Sequence, residues 1–182
     1  MTIAKPISTE PPSTRKVAKL ATPSDLTAKE TAAVATALNK LVADAIALYL
    51  KTKNFHWHMS GPHFRDYHVL LDEQADQIFA SIDPLAERVR KLGHRTILGL
   101  SHAASLSSIE DQMADFVAPG DMLRELIEDN KGMAANMRKA HEVCDDNGDV
   151  ASASLLEVYI DETERRTWFL FEASRPADSD GH

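Results

Sequence analysis

Between Asn54 and Gly93 the chain carries a set of side chains that could bind a metal ion. His68 and Asp72 are four residues apart, and so are Asp83 and Glu87. At about 100° per residue, Asp72 lies about 40° from His68 on a helix, and Asp83 only about 20° from Asp72. All four therefore share one helical face. His56 precedes them across a short turn, Met59-Ser60-Gly61-Pro62. It is placed to fold back beside His68. One or two imidazoles with carboxylates suit iron, zinc or manganese. For an isolated His-x-x-x-Asp pair, a solvated charged face is the commoner explanation. The whole set beside an apolar seam is harder to explain that way.

Length limits what the set can do within one chain. A straight helix puts Glu87 about 22 Å from Asp72. Oxygen ligands sit about 2.0–2.6 Å from a metal. No ion spans the two pairs, so one helix offers two half-sites. An antiparallel copy, supplied by two-fold symmetry, would bring opposite halves together.

The elements that position these residues read as helices. Leu71, Ala75, Ile78, Ile82, Leu85, Val89 and Leu92 step by four and three and form an apolar seam. Pro84 falls inside this second helix, where a kink is expected. Gly93 closes it as an αL cap. The first helix begins at Ser24 or Thr27, since Thr27-x-x-Glu30 has capping-box spacing, and runs to about His58. Leu38, Leu41, Ala45 and Leu48 mark its buried face. Trp57, as a lone tryptophan, is expected in the core. Residues 94–106 read as loop, and Ser107-x-x-Glu110 predicts a short helix from Ser108 to about Phe116. Pro119 and Gly120 break the chain, and Asp121 is the expected N-cap of a third long helix. His141 near its end has no evident partner. Asp145-Asp146-Asn147-Gly148-Asp149 reads as a turn, and Val150 to about Ser174 as the fourth long helix.

Composition narrows the class. Seven glycines argue against a turn-rich β fold, and 43% hydrophobic residues are ordinary for a globular chain. The single cysteine, Cys144, excludes an internal disulfide and a cysteine-only zinc site, and a reducing compartment is the simplest home. The start has no apolar signal core, and no run approaches the ~20 apolar residues of a membrane span. A cytoplasmic protein is expected. Residues 1–24 read as a flexible tail, 25–174 as the folded body and 175–182 as a short acidic end. Lys5, Arg15, Lys16 and Lys19 against Glu10 give the tail +3, and the chain total of −8 then leaves −11 for the rest. A basic arm on an acidic body can grip phosphates non-specifically, and many arms on one oligomer would add avidity.

The stretch resembles the ferroxidase signature of the Dps proteins, the DNA-binding proteins from starved cells, which are mini-ferritins. The matching residues are His56-Trp57, Gly61, Phe64, His68, Asp72, Asp83, Glu87-Arg88 and Leu92-Gly93, with no gaps between them. The resemblance extends from about Leu26 to about Ser174 and includes Thr167-Trp168-Phe169. It implies an all-α, ferritin-like four-helix bundle with a short extra helix between the second and third long helices. It also implies a hollow dodecamer with twelve interface sites. His56, His68 and Asp72 would come from one subunit, Asp83 and Glu87 from its two-fold mate, with Trp57 close to the iron. Fe(II) would be oxidised there, by hydrogen peroxide in preference to oxygen in many relatives. Fe(III) mineral would collect inside and DNA would be protected. Zinc suits the same ligands. Asp145, Asp146 and Asp149 would line an iron-uptake pore.

The chain has no Glu-x-x-His, the usual ligand pair of an iron site inside one bundle, which agrees with a site between subunits. Two other readings compete. One is a nucleoid-compacting protein that acts mainly through its basic tails. The other is a helical scaffold with an empty interface.

Overall fold

The computed structural model describes residues 20–175. Those residues form five helices and no strand: α1 Ala28–His58, α2 Phe64–Lys91, α3 Leu100–Leu106, α4 Pro119–Asp146 and α5 Val150–Ser174. The four long helices pack as a bundle, α1 against α2 and α4 against α5, with α3 resting on α1. One core joins them, built from Leu38, Leu48 and Phe55 of α1, Leu71 and Leu85 of α2, Leu126 and Met133 of α4, and Leu156 and Leu170 of α5. The seam expected on α2 is buried except at Ile82, which is half-buried. By length and composition α1 would also suit a membrane span. Here its apolar side chains Val34, Leu38, Leu41, Leu48 and Phe55 lie inside the bundle.

The ends of the helices follow from local chemistry. Thr27 Oγ1 accepts from the Glu30 N–H at 3.3 Å, and the Glu30 carboxylate accepts from the Thr27 N–H at 2.6 Å. This is the expected capping box. Gly93 ends α2 at φ +84°. His94 N–H donates to Val89 and Gly93 N–H to Arg90, the paired bonds of a Schellman end. Gly93 is also a seat. A Cβ there would come within 2.9 Å of the Thr22 nitrogen, and Thr22 Oγ1 donates to the Arg90 carbonyl. Residues 20–24, expected within the tail, therefore include a segment lying against the end of α2. Helix α2 runs unbroken through Pro84, so all four α2 ligand candidates sit on one element.

The short helix is displaced from its expected position. Ser107 and Ser108 do not cap a helix over 108–116. Both hydroxyls and the Ser108 N–H donate to the buried carboxylate of Asp44, which also accepts from Asn136. Residues 107–118 are thus tied to α1 as a non-helical strap, held again where Asn54 donates to the Gln112 carbonyl. The extra helix is α3, which begins eight residues before Ser108 within the stretch expected as loop; Gly99 precedes it with no side-chain cap. At the start of α4 the N-cap is Ala118, and Asp121 lies in the first turn.

A buried arginine ties three helices. Arg166, 5% exposed, donates to Asn130 of α4 and to Thr163, while its carbonyl accepts from Gln74 of α2. Burial pulls its guanidinium down to about 10.

Candidate metal centre

The turn between α1 and α2 brings His56, near the end of one helix, against His68, one turn into the next. Gly61 supplies the left-handed residue this turn needs, at φ +96°. The two imidazoles stack with centroids 3.7 Å apart and planes 20° apart. His56 Nδ1 lies 2.8 Å from the His68 carbonyl, and His68 Nδ1 lies 2.9 Å from the His56 carbonyl. A carbonyl only accepts, so both Nδ1 atoms carry the proton. In its neutral form, such a ring keeps its lone pair at Nε2, the form a metal binds.

Asp72 completes this end. Its Oδ1 is 3.8 Å from His56 Nε2. The same oxygen accepts from Lys53 Nζ at 2.6 Å. That hydrogen bond, the leading cause, holds the Asp72 carboxyl below its ordinary value, and it raises the Lys53 ammonium. Sequence reading missed Lys53. Its position three residues before His56 was a usable signal, but its partner lies nineteen residues away.

Asp83 and Glu87 are exposed further along α2, and among the described residues Glu87 pairs with Lys91, at 3.5 Å. Helix rise places them about 16 and 22 Å from Asp72. Among the described residues of one chain, no three His, Cys, Asp or Glu side chains converge on a common point fit for an ion. Trp57 is 59% exposed rather than in the core, because it follows His56 on the outward side of α1. His58 faces away and bonds back to Asn54.

The other expected residues fall in two groups. Asp145 and Asp146 end α4 and are exposed, whereas Asp149 is 2% exposed. Asp149 caps α5 through the Ser152 N–H and pairs with Arg88. Its carboxylate is turned inward, so the expected pore-lining role does not fit its placement. His141 has partners after all: Asp145 at 3.2 Å and Glu157 at 3.3 Å. Lys5, Arg15, Lys16 and Lys19 lie outside the described residues. Cys144 is buried, and burial pushes its thiol up to about 12, so it offers no thiolate ligand.

The Ferritin-like domain family matches residues 35–173. The DNA protection during starvation protein of Agrobacterium fabrum is 34% identical over 150 residues, which cover 82% of this chain and 92% of that one. The chain belongs to the Dps family. Among solved structures it is similar to Dps from Thermosynechococcus elongatus, with a TM-score of 0.79 and 28% identity over 82% of this chain and 95% of that one. It is also similar to a Dps protein from Vibrio cholerae described as a member of a broad superfamily of ferritin-like diiron-carboxylate proteins. There the TM-score is 0.78, with 25% identity over 82% of this chain and 94% of that one.

Proposed function

We propose that this Dps-family chain is a mini-ferritin subunit that binds and oxidises Fe(II) at sites shared between two copies. The observation that carries this is the division of α2. His56, His68 and Asp72 gather at one end, while Asp83 and Glu87 stand exposed about 16 to 22 Å away. An antiparallel α2 from a two-fold mate brings each cluster to the other's missing half.

Fe(II) is the substrate. The two imidazoles offer Nε2, and Asp72, Asp83 and Glu87 supply carboxylates. Hard oxygen donors favour Fe(III) over Fe(II), which assists the loss of an electron. Two Fe(II) give one electron each to hydrogen peroxide, whose O–O bond breaks to leave two hydroxides. Lys53 holds Asp72 until a stronger cation displaces it. Ferric product would collect in a closed shell, a dodecamer by family likeness, with Asp145 and Asp146 drawing cations inward. Removing Fe(II) and peroxide together would protect DNA, which is what the relatives are named for. Zinc suits the same donors and would act there as a competitor. The tails would add a second, salt-dependent grip on DNA.

The test is Fe(II) titration of the native particle with peroxide, beside a His68→Ala/Asp72→Ala variant. Saturable oxidation and iron retained in a particle much heavier than one 20.1 kDa chain is expected only of the parent. Equal oxidation by both would sink the assignment.

A further inference from the structure

We propose that Phe64 is a positioning residue for His68, an inference that rests on the reading of His68 as an iron ligand. Phe64 opens α2, one turn before His68, so the two side chains share a face. Its ring centroid lies 5.0 Å from that of His68, with the planes 31° apart. Yet Phe64 is 45% exposed, and it belongs neither to the bundle core nor to the apolar residues packed against it. Burial in the subunit core does not account for it.

The ring it covers is the one that most needs holding. His56 is buried, at 8% exposure, and the bundle fixes it. His68 is only half-buried. His56 stacks on one face of His68 at 3.7 Å, and the His56 carbonyl takes the Nδ1 proton. Phe64 adds a second aromatic neighbour to the same imidazole, tilted by 31° at 5.0 Å. With Nδ1 bonded and two rings packed against it, the imidazole has little freedom to turn, and Nε2 keeps its direction. The arrangement has an electronic consequence too. A ligating imidazole gains positive character, and an aromatic face favours a neighbouring cation. Phe64 thus favours the metal-bound form of His68 over the free one.

The experiment uses the whole assembled protein and Co(II), which reports its ligands by colour and does not react with the oxidant. Phe64→Ala, Phe64→Leu and Phe64→Tyr are compared with the parent and with His68→Ala. Phe64→Ala should weaken Co(II) binding about three- to tenfold, the range expected of an aromatic pair. It should also shift the Co(II) bands and raise KM for Fe(II) more than it lowers kcat. Phe64→Tyr should restore all three, and Phe64→Leu should not. Should Phe64→Ala fail to assemble, the Leu and Tyr variants decide alone. Co(II) affinity and spectrum unchanged in Phe64→Ala, or restored as fully by Leu as by Tyr, would overturn the proposal. Co(II) binding that His68→Ala leaves untouched would instead remove the reading beneath it, and this proposal with it.

Discussion

His56 and His68 each give their Nδ1 proton to the other's backbone carbonyl, at 2.8 and 2.9 Å. Each imidazole is therefore both a ligand candidate and the fixture that orients its partner. The two should not contribute independently to metal affinity. His56→Ala and His68→Ala should each weaken Co(II) binding by about ten- to a hundredfold, the usual effect of losing an orienting partner. The double variant should lose far less than the product of the two, because each single change already disturbs both rings. Losses that multiply would show the rings to be independent.

Lys53 and Asp72 make the opposite kind of pair, one that a metal bound at the proposed site would have to break. The Nζ–Oδ1 bond of 2.6 Å occupies an oxygen that the proposed metal site would use. Lys53→Met should release it, so Co(II) affinity should rise by about two- to fivefold, as expected for a partly exposed ion pair. The pH dependence has a defined sign. Asp72 is held below its ordinary value, so its contribution to stability is present above the unfolded value and lost as pH falls through the folded one. Lys53 is raised, so its contribution is present below the unfolded value and lost as pH rises through the folded one. In Lys53→Met, NMR titration should find the Asp72 carboxyl moved upward. An unmoved carboxyl would show that Lys53 does not set it.

Much of this site was legible in the sequence because helix geometry converts spacing into direction. Four-residue steps put His68 with Asp72, and Asp83 with Glu87. The Thr27–Glu30 box and Gly93 marked helix ends because their partners are local. The failures involve partners distant in sequence. Ser107 and Ser108 look like a cap, but Asp44, over sixty residues away, claims their hydroxyls. Lys53 likewise shows its role only once two helices are packed, as does His141 toward Glu157, although its other partner, Asp145, is only four residues on in the same helix. Trp57 was misplaced for another reason. Residue type alone favours burial, while its position beside His56 turns it outward.

The acidic corner between α4 and α5 separates a structural acid from two exposed ones. Asp149→Ala removes the α5 cap and leaves Arg88 without its carboxylate. Stability should fall by about 2–4 kcal/mol, seen as a lower Tm. Asp145→Asn/Asp146→Asn should leave Tm within a few degrees of the parent but slow iron uptake. If the double Asn variant takes up iron at the parent rate, the corner does not guide cations.

The basic tail can be tested without disturbing the body, provided the cut respects Gly93. Thr22 sits against that glycine, so the deletion should end at residue 19. Removing residues 1–19 takes away Lys5, Arg15, Lys16 and Lys19 and leaves a strongly acidic remainder. A gel shift should show DNA affinity lost, while Fe(II) oxidation stays at the parent rate. Full DNA affinity in the truncated protein would place the contact elsewhere.

The proposed shared site makes its sharpest prediction for mixtures of inactive variants. Let one variant carry His68→Ala and Asp72→Ala, and the other Asp83→Ala and Glu87→Ala. In either homodimer every site lacks one half. A mixed dimer contains two sites. One joins both damaged halves. The other joins Asp83 and Glu87 of the first variant to His56, His68 and Asp72 of the second, and is whole. Random pairing makes about half of the dimers mixed and repairs about a quarter of all sites. The two chains should be co-expressed, because a closed particle exchanges subunits slowly. Activity near a quarter of the parent is expected, with mixed particles verified by native mass. A site contained within one subunit gives no rescue, since every chain would still carry its own lesion. Mixed particles that oxidise Fe(II) no faster than the separate variants would therefore rule out the division of ligands between copies of α2.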